Sequence, residues 1–259
     1  MIGIFDSGIG GMTVAKAVSL ILPDVSIRYV GDTAGAPYGQ QKPSSVVASA
    51  LAHVGFLIKQ GARLIIITGD RTAHLAGQAL REKYSLPIID MATPTALAAA
   101  AATTCGRIGI IGSRAAIDDG LCQQKITTLQ PNCKVHTQPC PLLAALIEEG
   151  WHNRQETKMI LRRYLQPLKN RQIDTLVLDS PYYSLIRHLI QPRIGKRVQL
   201  IDSATVTAGY VRDLLADHPD WLVPHPANGH HQFWLTSLAE PLPTFTNTVF
   251  QGHIDLQLL

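Results

Sequence analysis

The sequence is poor in charged and aromatic residues: of its 259 residues, 16% are Asp, Glu, Lys or Arg and 6% are Phe, Trp or Tyr. Its 23 basic and 19 acidic residues leave a net charge of +4, and they form no basic block with interleaved aromatics. Such a block is typical of nucleic-acid-binding surfaces. We therefore expect no nucleic acid partner and interpret the small positive charge as favouring solubility.

Long apolar runs are also absent. The longest, 96–102, is far shorter than the roughly 20 residues that a membrane-spanning helix needs. The chain opens with MIGIFDSG, which has neither the basic nor the apolar region of a secretory signal. These absences predict a soluble, cytoplasmic protein without a membrane partner.

Sequence patterns that bind metals or nucleotides are missing as well. There is no CxxC pair, no GxGxxG and no GxxxxGKS/T fingerprint, so we expect neither a metal site nor a nucleotide cofactor. The histidines have no ligand-like spacing and are interpreted as solvated or capping residues. The four cysteines are expected to be free thiols of a reducing compartment: Cys105, Cys122, Cys133 and Cys140.

Short apolar strands alternate with helical stretches along the whole chain. Strands that are apolar on both faces indicate a parallel sheet flanked by helices, so the fold class is predicted as α/β. The pattern repeats after the Ala- and Thr-rich stretch 91–104, which favours two similar halves. Strands are predicted at 2–5, 26–30, 64–68, 87–91, 107–111, 134–138, 175–178, 198–201 and 232–235. Helices are predicted at 15–22, 44–60, 72–83, 115–129, 141–150, 155–167, from 184 to at least 189, and 203–216.

Polar residues follow five of these strands, where α/β proteins bind ligands. The glycine-rich turn after Asp6 and Ser7 suits a helix N-terminus that receives an anion, or a simple capped turn. Asp70 and Arg71 follow the third strand, and a helix-start carboxylate beside a surface arginine would look the same. The other strand ends carry the loop 31–39, the segment DSPYYS at 179–184, and Asp202-Ser203.

Several of these motifs resemble the glutamate racemase family over nearly the whole chain. The matching segments are MIGIFDSGIGGMTV, YVGDTAGAPYGQQ, PLLAALIEEGW, LIDSATVTA, QFWLTS and FQGHIDLQ. The resemblance implies two pseudo-symmetric α/β lobes with an active-site cleft between them, which we place at 1–93 plus 205–259 and at 94–204. It also implies cofactor-independent inversion at the α-carbon of glutamate, and a homodimer, since relatives are commonly dimers.

Members of that family use two cysteines, one per lobe, in segments read as CNTA and GCTHYP. At the corresponding positions this chain has Asp70 and Ser180. The catalytic positions carried over are Asp6, Asp70, Glu148, Ser180 and Tyr182. Those expected to bind a small amino-acid or carboxylate ligand are Ser7, Pro37, Tyr38, Gly39, Arg71, Thr72 and Pro181.

The two replacements change the chemistry that the site can perform. A cysteine thiol has a pKa of about 8.5, whereas a serine hydroxyl is close to water at about 15.7, which puts roughly 10 kcal/mol against Ser180 as a base. Asp70, with an ordinary pKa of about 3.9, is a weak base unless burial raises that value, and Arg71 would hold it down. Arg71, Pro181 and Tyr182 also replace the family's Asn, Thr and His, while the carboxylate-binding positions match.

Three functions remain open on this basis. The first is an enzyme of altered, one-sided chemistry of lyase, hydrolase or isomerase type, with Asp70 as base or nucleophile, Arg71 as a carboxylate clamp, and Tyr182 or Ser180 as a hydrogen-bond donor. The second is a catalytically inactive homologue that acts as a binding or regulatory protein. The third is an amino-acid racemase with an unusual acid/base pair.

Overall fold

The computed structural model describes residues 1–221, 230–238, 242–251 and 254–259. Within these ranges the chain alternates strands and helices, in order β1 (Ile2–Asp6), α1 (Met12–Ile21), β2 (Ile27–Gly31), α2 (Pro43–Lys59), β3 (Leu64–Ile67), α3 (Asp70–Lys83), β4 (Ile88–Asp90), α4 (Ala92–Ala102), β5 (Arg107–Gly112), α5 (Arg114–Asp119), α6 (Leu121–Leu129), β6 (Lys134–Pro139), α7 (Leu143–Glu148), α8 (Gln155–Asn170), β7 (Thr175–Asp179), α9 (Arg187–Ile194), β8 (Gln199–Asp202), α10 (Ser203–Asp217), β9 (Gln232–Leu235), α11 (Leu242–Phe250) and β10 (Leu256–Leu258). The α/β prediction is confirmed.

The chain divides into two compact units, which we call unit 1 and unit 2. Unit 1 comprises Met1–Met91 and Thr207–Leu259, and unit 2 comprises Ala92–Val206. The boundaries predicted from the sequence, after 93 and after 204, each lie two residues from this division.

Unit 1 is built on a six-stranded parallel sheet in the order β10-β9-β2-β1-β3-β4. In register, Ile4 of β1 is flanked by Tyr29 of β2 and Ile66 of β3, and all three side chains are fully buried. β9 joins the outer edge of β2, where Gln232 pairs with Arg28. The apolar strands therefore form the core, as their composition predicted.

Unit 2 contains a four-stranded parallel sheet in the order β6-β5-β7-β8. Its core includes Ile108 and Ile110 of β5, Val177 of β7 and Ala96 of α4, which lies in the Ala- and Thr-rich stretch. Numbered within each unit, both sheets contain the strand order 2-1-3-4. The first and third strands are neighbours in each, so the chain leaves the first strand toward opposite sides.

The helix predictions were wrong in several places. The Ala- and Thr-rich stretch, predicted as a crossover between the two halves, contains the helix α4, and the helix expected from 184 begins only at Arg187, after a 3-10 segment at Pro181–Ile186. The helix expected at 115–129 is two helices, because Gly120 takes a left-handed conformation (φ 66°) that ends α5 before α6 begins. α11 was missed because its sequence, LPTFTNTVF, is rich in β-branched residues with weak helix propensity. No helix in the described ranges has both the length and the apolar character needed to cross a bilayer.

Candidate functional site

The strand order places the candidate ligand-binding edge of unit 1 between β1 and β3. Ligands of open α/β sheets bind at the carboxyl ends of the strands, where the strand order reverses. The chain leaves β1 at Asp6 and Ser7, and it leaves β3 at Thr68, Gly69 and then the start of α3. The predicted residues Asp6, Ser7, Asp70, Arg71 and Thr72 therefore share one edge of unit 1.

Asp6 is a buried carboxylate with three hydrogen-bond donors. Its Oδ2 accepts from the backbone N–H of Gly11 (2.9 Å) and from the hydroxyl of Tyr29 (3.4 Å), and its Oδ1 accepts from the hydroxyl of Thr68 (2.7 Å). Asp6 is 6% exposed. These bonds fix the turn between β1 and α1, while the catalytic role predicted for Asp6 stays a prediction.

Three side-chain oxygens surround Gly69, the residue before α3. A methyl group placed on Gly69 would lie 3.4 Å from Oγ1 of Thr72, 3.5 Å from Oγ of Ser7 and 4.0 Å from Oδ1 of Asp6. Thr72 is 1% exposed, and its buried hydroxyl has no hydrogen-bond partner among the residues that the structure describes. A buried polar atom of this kind calls for an explanation, and a bound polar ligand is one.

Asp70 and Arg71 open α3, with Asp70 in the first turn of the helix. Both side chains are half-buried. The guanidinium Nε–H of Arg71 donates to the backbone carbonyl of Tyr38 at 2.9 Å. This bond links the start of α3 to the loop after β2. The carboxylate of Asp70 and the guanidinium of Arg71 therefore both lie after β3, next to that loop.

Tyr38 is held by a buried network in the loop after β2. Its hydroxyl lies 2.6 Å from Oδ2 of Asp32 and 2.6 Å from the hydroxyl of Ser49, and Thr236 also donates to Asp32 at 2.9 Å. Burial and the neighbouring carboxylate of Asp32 raise the pKa of Tyr38 well above its usual value. Burial alone would raise the pKa of Asp32, but hydrogen bonds from Ser49 and Tyr38 hold that pKa below its ordinary value.

The other loop residues predicted to bind the ligand are more open. Pro37 and Gly39 are both exposed, on either side of the buried Tyr38. Tyr38 and Gly39 begin a short 3-10 turn that ends at Gln40. The loop therefore buries its aromatic ring as an anchor and leaves the flanking backbone accessible.

In unit 2 the corresponding edge lies between β5 and β7. Ser180 follows β7 directly, whereas two residues separate Asp70 from the end of β3. Ser180 takes an extended conformation before the 3-10 segment Pro181–Ile186. Ser180 and Pro181 are half-buried. Each unit thus places one of the two predicted catalytic residues Asp70 and Ser180 after the third strand of its 2-1-3-4 arrangement.

Glu148 and Tyr182 are joined directly within unit 2. The hydroxyl of Tyr182 donates to Oε1 of Glu148, which ends α7. Both side chains are half-buried. The two residues are 34 positions apart, and their contact could not be predicted from the sequence. This hydrogen bond fixes the orientation of the Tyr182 hydroxyl.

A neighbouring group after β8 was noted in the sequence but not assigned a role. Asp202 accepts from the hydroxyl of Ser184 (2.6 Å) and from the backbone N–H of Ala204 (3.1 Å). The hydroxyl of Ser203 is buried and finds no hydrogen-bond partner within the described part of the chain. The strand-end position of Asp202-Ser203 was the signal that could have found them.

None of the four cysteines lies directly after β3 or β7 in the chain, although the backbone carbonyl of Cys140 accepts from the hydroxyl of Tyr183 (3.3 Å). Cys140 is the one at a carboxyl strand end, after β6, but it is 1% exposed and burial raises its pKa to about 12. Cys122 is buried in α6, whereas Cys105 and Cys133 precede β5 and β6. In the described part of the chain, no three His, Cys, Asp or Glu side chains gather as metal ligands.

Comparison with known proteins identifies the family. A family model described as Asp/Glu/hydantoin racemase matches residues 12–211. The chain belongs to this family. Among its relatives, a glutamate racemase from Geobacter metallireducens is 35% identical over 237 residues, covering 92% of this chain and 87% of the relative. A glutamate racemase from Mycolicibacterium paratuberculosis is 37% identical over 225 residues, covering 87% and 81%.

Solved structures of the racemase family share the fold. A glutamate racemase isoform from Bacillus anthracis superimposes with a TM-score of 0.90 at 30% identity, over 100% of this chain and 97% of that one. A glutamate racemase from Francisella tularensis, solved in complex with D-glutamate, gives 0.89 at 27% identity, over 100% and 96%. The resemblance to the Asp/Glu racemase superfamily, whose members are isomerases, is thereby confirmed.

Proposed function

We propose that this racemase-family protein binds an amino acid or a related carboxylic acid and acts on it by one-sided chemistry, with Asp70 as the base or nucleophile. The reaction would be of lyase, hydrolase or isomerase type. The observation that carries the proposal is that equivalent strand ends of the two units bear unlike groups, a carboxylate at Asp70 and a hydroxyl at Ser180.

The carboxylate of the substrate is assigned to unit 1. At the N-terminus of the 14-residue helix α3, Thr72 offers a buried hydroxyl that has no partner among the described residues. Like the hydroxyl of Ser7, it borders Gly69. Backbone N–H groups at a helix N-terminus favour an anion. Arg71, held by Tyr38, supplies the cation that pairs with a carboxylate.

The chemistry is assigned to Asp70 because the two strand ends differ so much in acidity. A base and an acid of similar strength are needed if inversion is to run at similar rates in both directions. A serine hydroxyl is a weaker acid than a cysteine thiol by about 7 pKa units, so Ser180 cannot match a thiolate as a base. We assign Ser180 the role of hydrogen-bond donor. The hydroxyl of Tyr182 donates its single proton to Glu148 and is therefore left to accept from the ligand.

An amino acid is the first ligand to test, since a relative of this fold was solved with D-glutamate. In deuterated water, ¹H NMR of L-glutamate, D-glutamate and L-aspartate reports exchange at the α-carbon or conversion to a product, and chiral chromatography reports inversion. We expect exchange or conversion without inversion, abolished in Asp70→Asn and retained at a lower rate in Ser180→Ala. Asp217→Asn, a change at an exposed carboxylate at the end of α10, is the matched control.

Two outcomes would overturn the proposal. Interconversion of L- and D-glutamate by the unaltered chain would show a two-sided racemase. Ligand-induced thermal stabilisation without any exchange or conversion would favour a catalytically inactive binding protein, for which the engagement of Glu148 by Tyr182 is the supporting observation. The homodimer implied by the resemblance and the cytoplasmic location expected from the sequence belong to the proposal, and sedimentation velocity tests the homodimer.

A further inference from the structure

Cys105 and Cys133 lie beside each other at the amino ends of β5 and β6. The two strands pair in parallel register from Arg107 and Lys134 onward, and the backbone N–H of Lys134 donates to the carbonyl of Gly106 at 2.7 Å. The pairing therefore reaches one residue further back. A methyl group placed on Gly106 would lie 3.7 Å from the Sγ of Cys133 and 3.8 Å from its Cα.

The chain bends at Gly106, the residue that follows Cys105 and lies opposite Cys133. Residues 104–106 precede β5, and Gly106 takes a left-handed conformation (φ 70°), so the alternation of side chains along an extended strand does not reach back to Cys105. Cys105 and Asp174 both lie near enough to Cys133 to act on its thiol. Disulfides join Cα atoms separated by roughly 4.4–6.8 Å, and the proposal below requires this pair to reach that separation.

A carboxylate holds the backbone of Cys105 in this position. Oδ2 of Asp174 accepts from the backbone N–H groups of Thr104 (2.7 Å) and Cys105 (2.6 Å), and the hydroxyl of Thr103 donates to Oδ1 at 2.8 Å. The segment before β5 is thus clamped by the residue that immediately precedes β7. Ordering of this kind lowers the conformational entropy that closing a ring would cost.

The four cysteines differ in access. Cys105 is exposed and Cys133 is half-buried, whereas Cys122 and Cys140 are each 1% exposed. Burial, together with the nearby Asp174 and Cys105, raises the pKa of the Cys133 thiol, which makes it the slower nucleophile. Because Cys105 is the exposed cysteine, we expect its thiol to react first with an external reagent.

We propose that Cys105 and Cys133 are a thiol pair that closes to a reversible intramolecular disulfide on reaction with a small-molecule disulfide. The thiolate of Cys105 attacks one sulfur of the reagent RSSR, forms a mixed disulfide and releases one RS⁻. The thiolate of Cys133 then attacks the Sγ of Cys105 and releases the second RS⁻. Each released thiolate takes up the proton lost by the attacking thiol, so the protein loses two hydrogens and RSSR becomes two RSH.

The ring formed in this way would enclose the whole crossover from β5 through α5 and α6 to β6. Restricting the unfolded chain in a loop of this length stabilises the fold. The pair lies at the amino ends of the strands, whereas Ser180 lies at a carboxyl end. We therefore expect oxidation to raise the melting temperature and to leave ligand binding unchanged.

The test is thiol–disulfide equilibration of the whole, purified chain in glutathione buffers of increasing oxidised fraction, followed by acid quenching, alkylation and tryptic mass spectrometry. The expected product links the peptide 84–107 to the peptide 126–134, with a mass loss of two hydrogens and full reversal by dithiothreitol. Cys122 and Cys140 should remain alkylated, and the melting temperature should rise by several degrees.

Variants identify the order of the two steps. Cys133→Ser should accumulate a lasting glutathione adduct on Cys105, and Cys133→Ala provides a second variant in case serine disturbs the fold. Cys122→Ser is the matched control and should still close the ring. A persistent Cys105 adduct in the unaltered chain, a disulfide between two chains, or no oxidation at either residue would each overturn the proposal.

Discussion

The hydroxyl of Thr68 donates a 2.7 Å hydrogen bond to the carboxylate of Asp6 and so joins the carboxyl ends of β3 and β1. These are the two strands between which the order of the sheet reverses. The same hydroxyl lies 3.2 Å from the carbonyl of Phe5. The turn that carries Ser7 and the approach to α3 are therefore held together by the protein itself, before any ligand contributes.

Thr68→Val tests this bond. The substitution keeps the β-branched shape but removes the donor, leaving the buried carboxylate of Asp6 with one partner fewer. We expect the free energy of unfolding to fall by about 1–3 kcal/mol, measured by urea denaturation. Thr127→Val, where an exposed hydroxyl binds only carbonyls of its own helix, should change it by less than about 0.5 kcal/mol. Equal effects of the two changes would contradict a special role for the Thr68–Asp6 bond.

Gly11→Ala probes the glycine-rich turn after β1. A methyl group on Gly11 would lie 2.6 Å from Oγ1 of Thr68 and 2.9 Å from Cβ of Asp6, so the joined pair would have to move apart. We expect a loss of about 1–3 kcal/mol of stability together with weaker ligand binding. Thermal unfolding and ligand-induced shifts in melting temperature measure both.

A second glycine supplies the control for that variant. Gly209 lies inside α10, and beyond its own helix backbone no atom of the described ranges lies within 4 Å of an added methyl group. Gly209→Ala should therefore stabilise the protein by about 0.5–1 kcal/mol, because alanine loses less backbone entropy in a helix. If both substitutions stabilised the protein, the turn would have space for a methyl group at position 11, and close packing would not require Gly11.

Most strands could be predicted from the sequence because parallel strands buried on both faces read as continuous apolar runs. Ile2–Asp6 and Thr175–Asp179, for example, are buried at every position. The ends of helices were harder to predict from the sequence. The break at Gly120 depends on one residue taking a positive φ, and the continuation of α8 past Pro167 to Asn170 depends on packing that overrides the usual effect of proline.

The sequence could predict which residues of the candidate site follow the strands, but not the contacts that hold those residues in place. Sequence motifs indicated Asp70, Ser180 and Tyr38, but not what holds them. Thr236, which donates to Asp32, stands 204 residues away from it in the chain. A hydrogen bond over such a separation has no periodic signature, and neither does an unpaired buried hydroxyl such as that of Thr72, since both depend on how the strands are ordered.

The network around Asp32 makes a prediction about acid sensitivity. Its folded-state pKa lies below the ordinary value, because hydrogen bonds from Ser49 and Tyr38 outweigh the effect of burial. The carboxylate therefore stabilises the fold above its unfolded pKa of about 3.9, and this contribution is lost as pH falls through the folded-state value. Asp32→Asn should lower the free energy of unfolding by about 1–3 kcal/mol at pH 7.

The pH series distinguishes this electrostatic effect from a packing defect. Urea denaturation of the unaltered chain and of Asp32→Asn at pH 7, 5 and 3 should show a difference that shrinks at the lowest pH. Asp24→Asn, at an exposed carboxylate, serves as the control and should follow the unaltered chain throughout. A constant difference between pH 7 and pH 3 would assign the loss to packing.

A double substitution tests whether Asp70 and Ser180 determine which reaction the protein performs. Asp70→Cys combined with Ser180→Cys returns a thiol to each position, so we expect interconversion of L- and D-glutamate, measured in both directions by chiral chromatography. Each single substitution should give at most about one hundredth of that rate, since one base remains unmatched.

The buried thiol of Cys140 is the control for that experiment. Adding Cys140→Ser to the double variant should leave the racemization rate unchanged, because the thiol of Cys140 donates to the carbonyl of Gln138. The contact of Cys140 with Tyr183 is made by its backbone carbonyl, which the substitution keeps. A double variant that folds and binds glutamate but never inverts it would show that further positions, with Arg71 and Pro181 as the first to revert, also block the reaction.

The strand β9 has a consequence for the order in which the chain matures. It pairs with β2, although β2 is synthesised before the whole of unit 2 and β9 after it. All of unit 2 has thus been synthesised before β9, the strand that pairs with the outer edge of β2, leaves the ribosome. Nascent chains that stall or are cleaved before Gln232 should carry an open parallel edge, which is the kind of surface that recruits chaperones or aggregates.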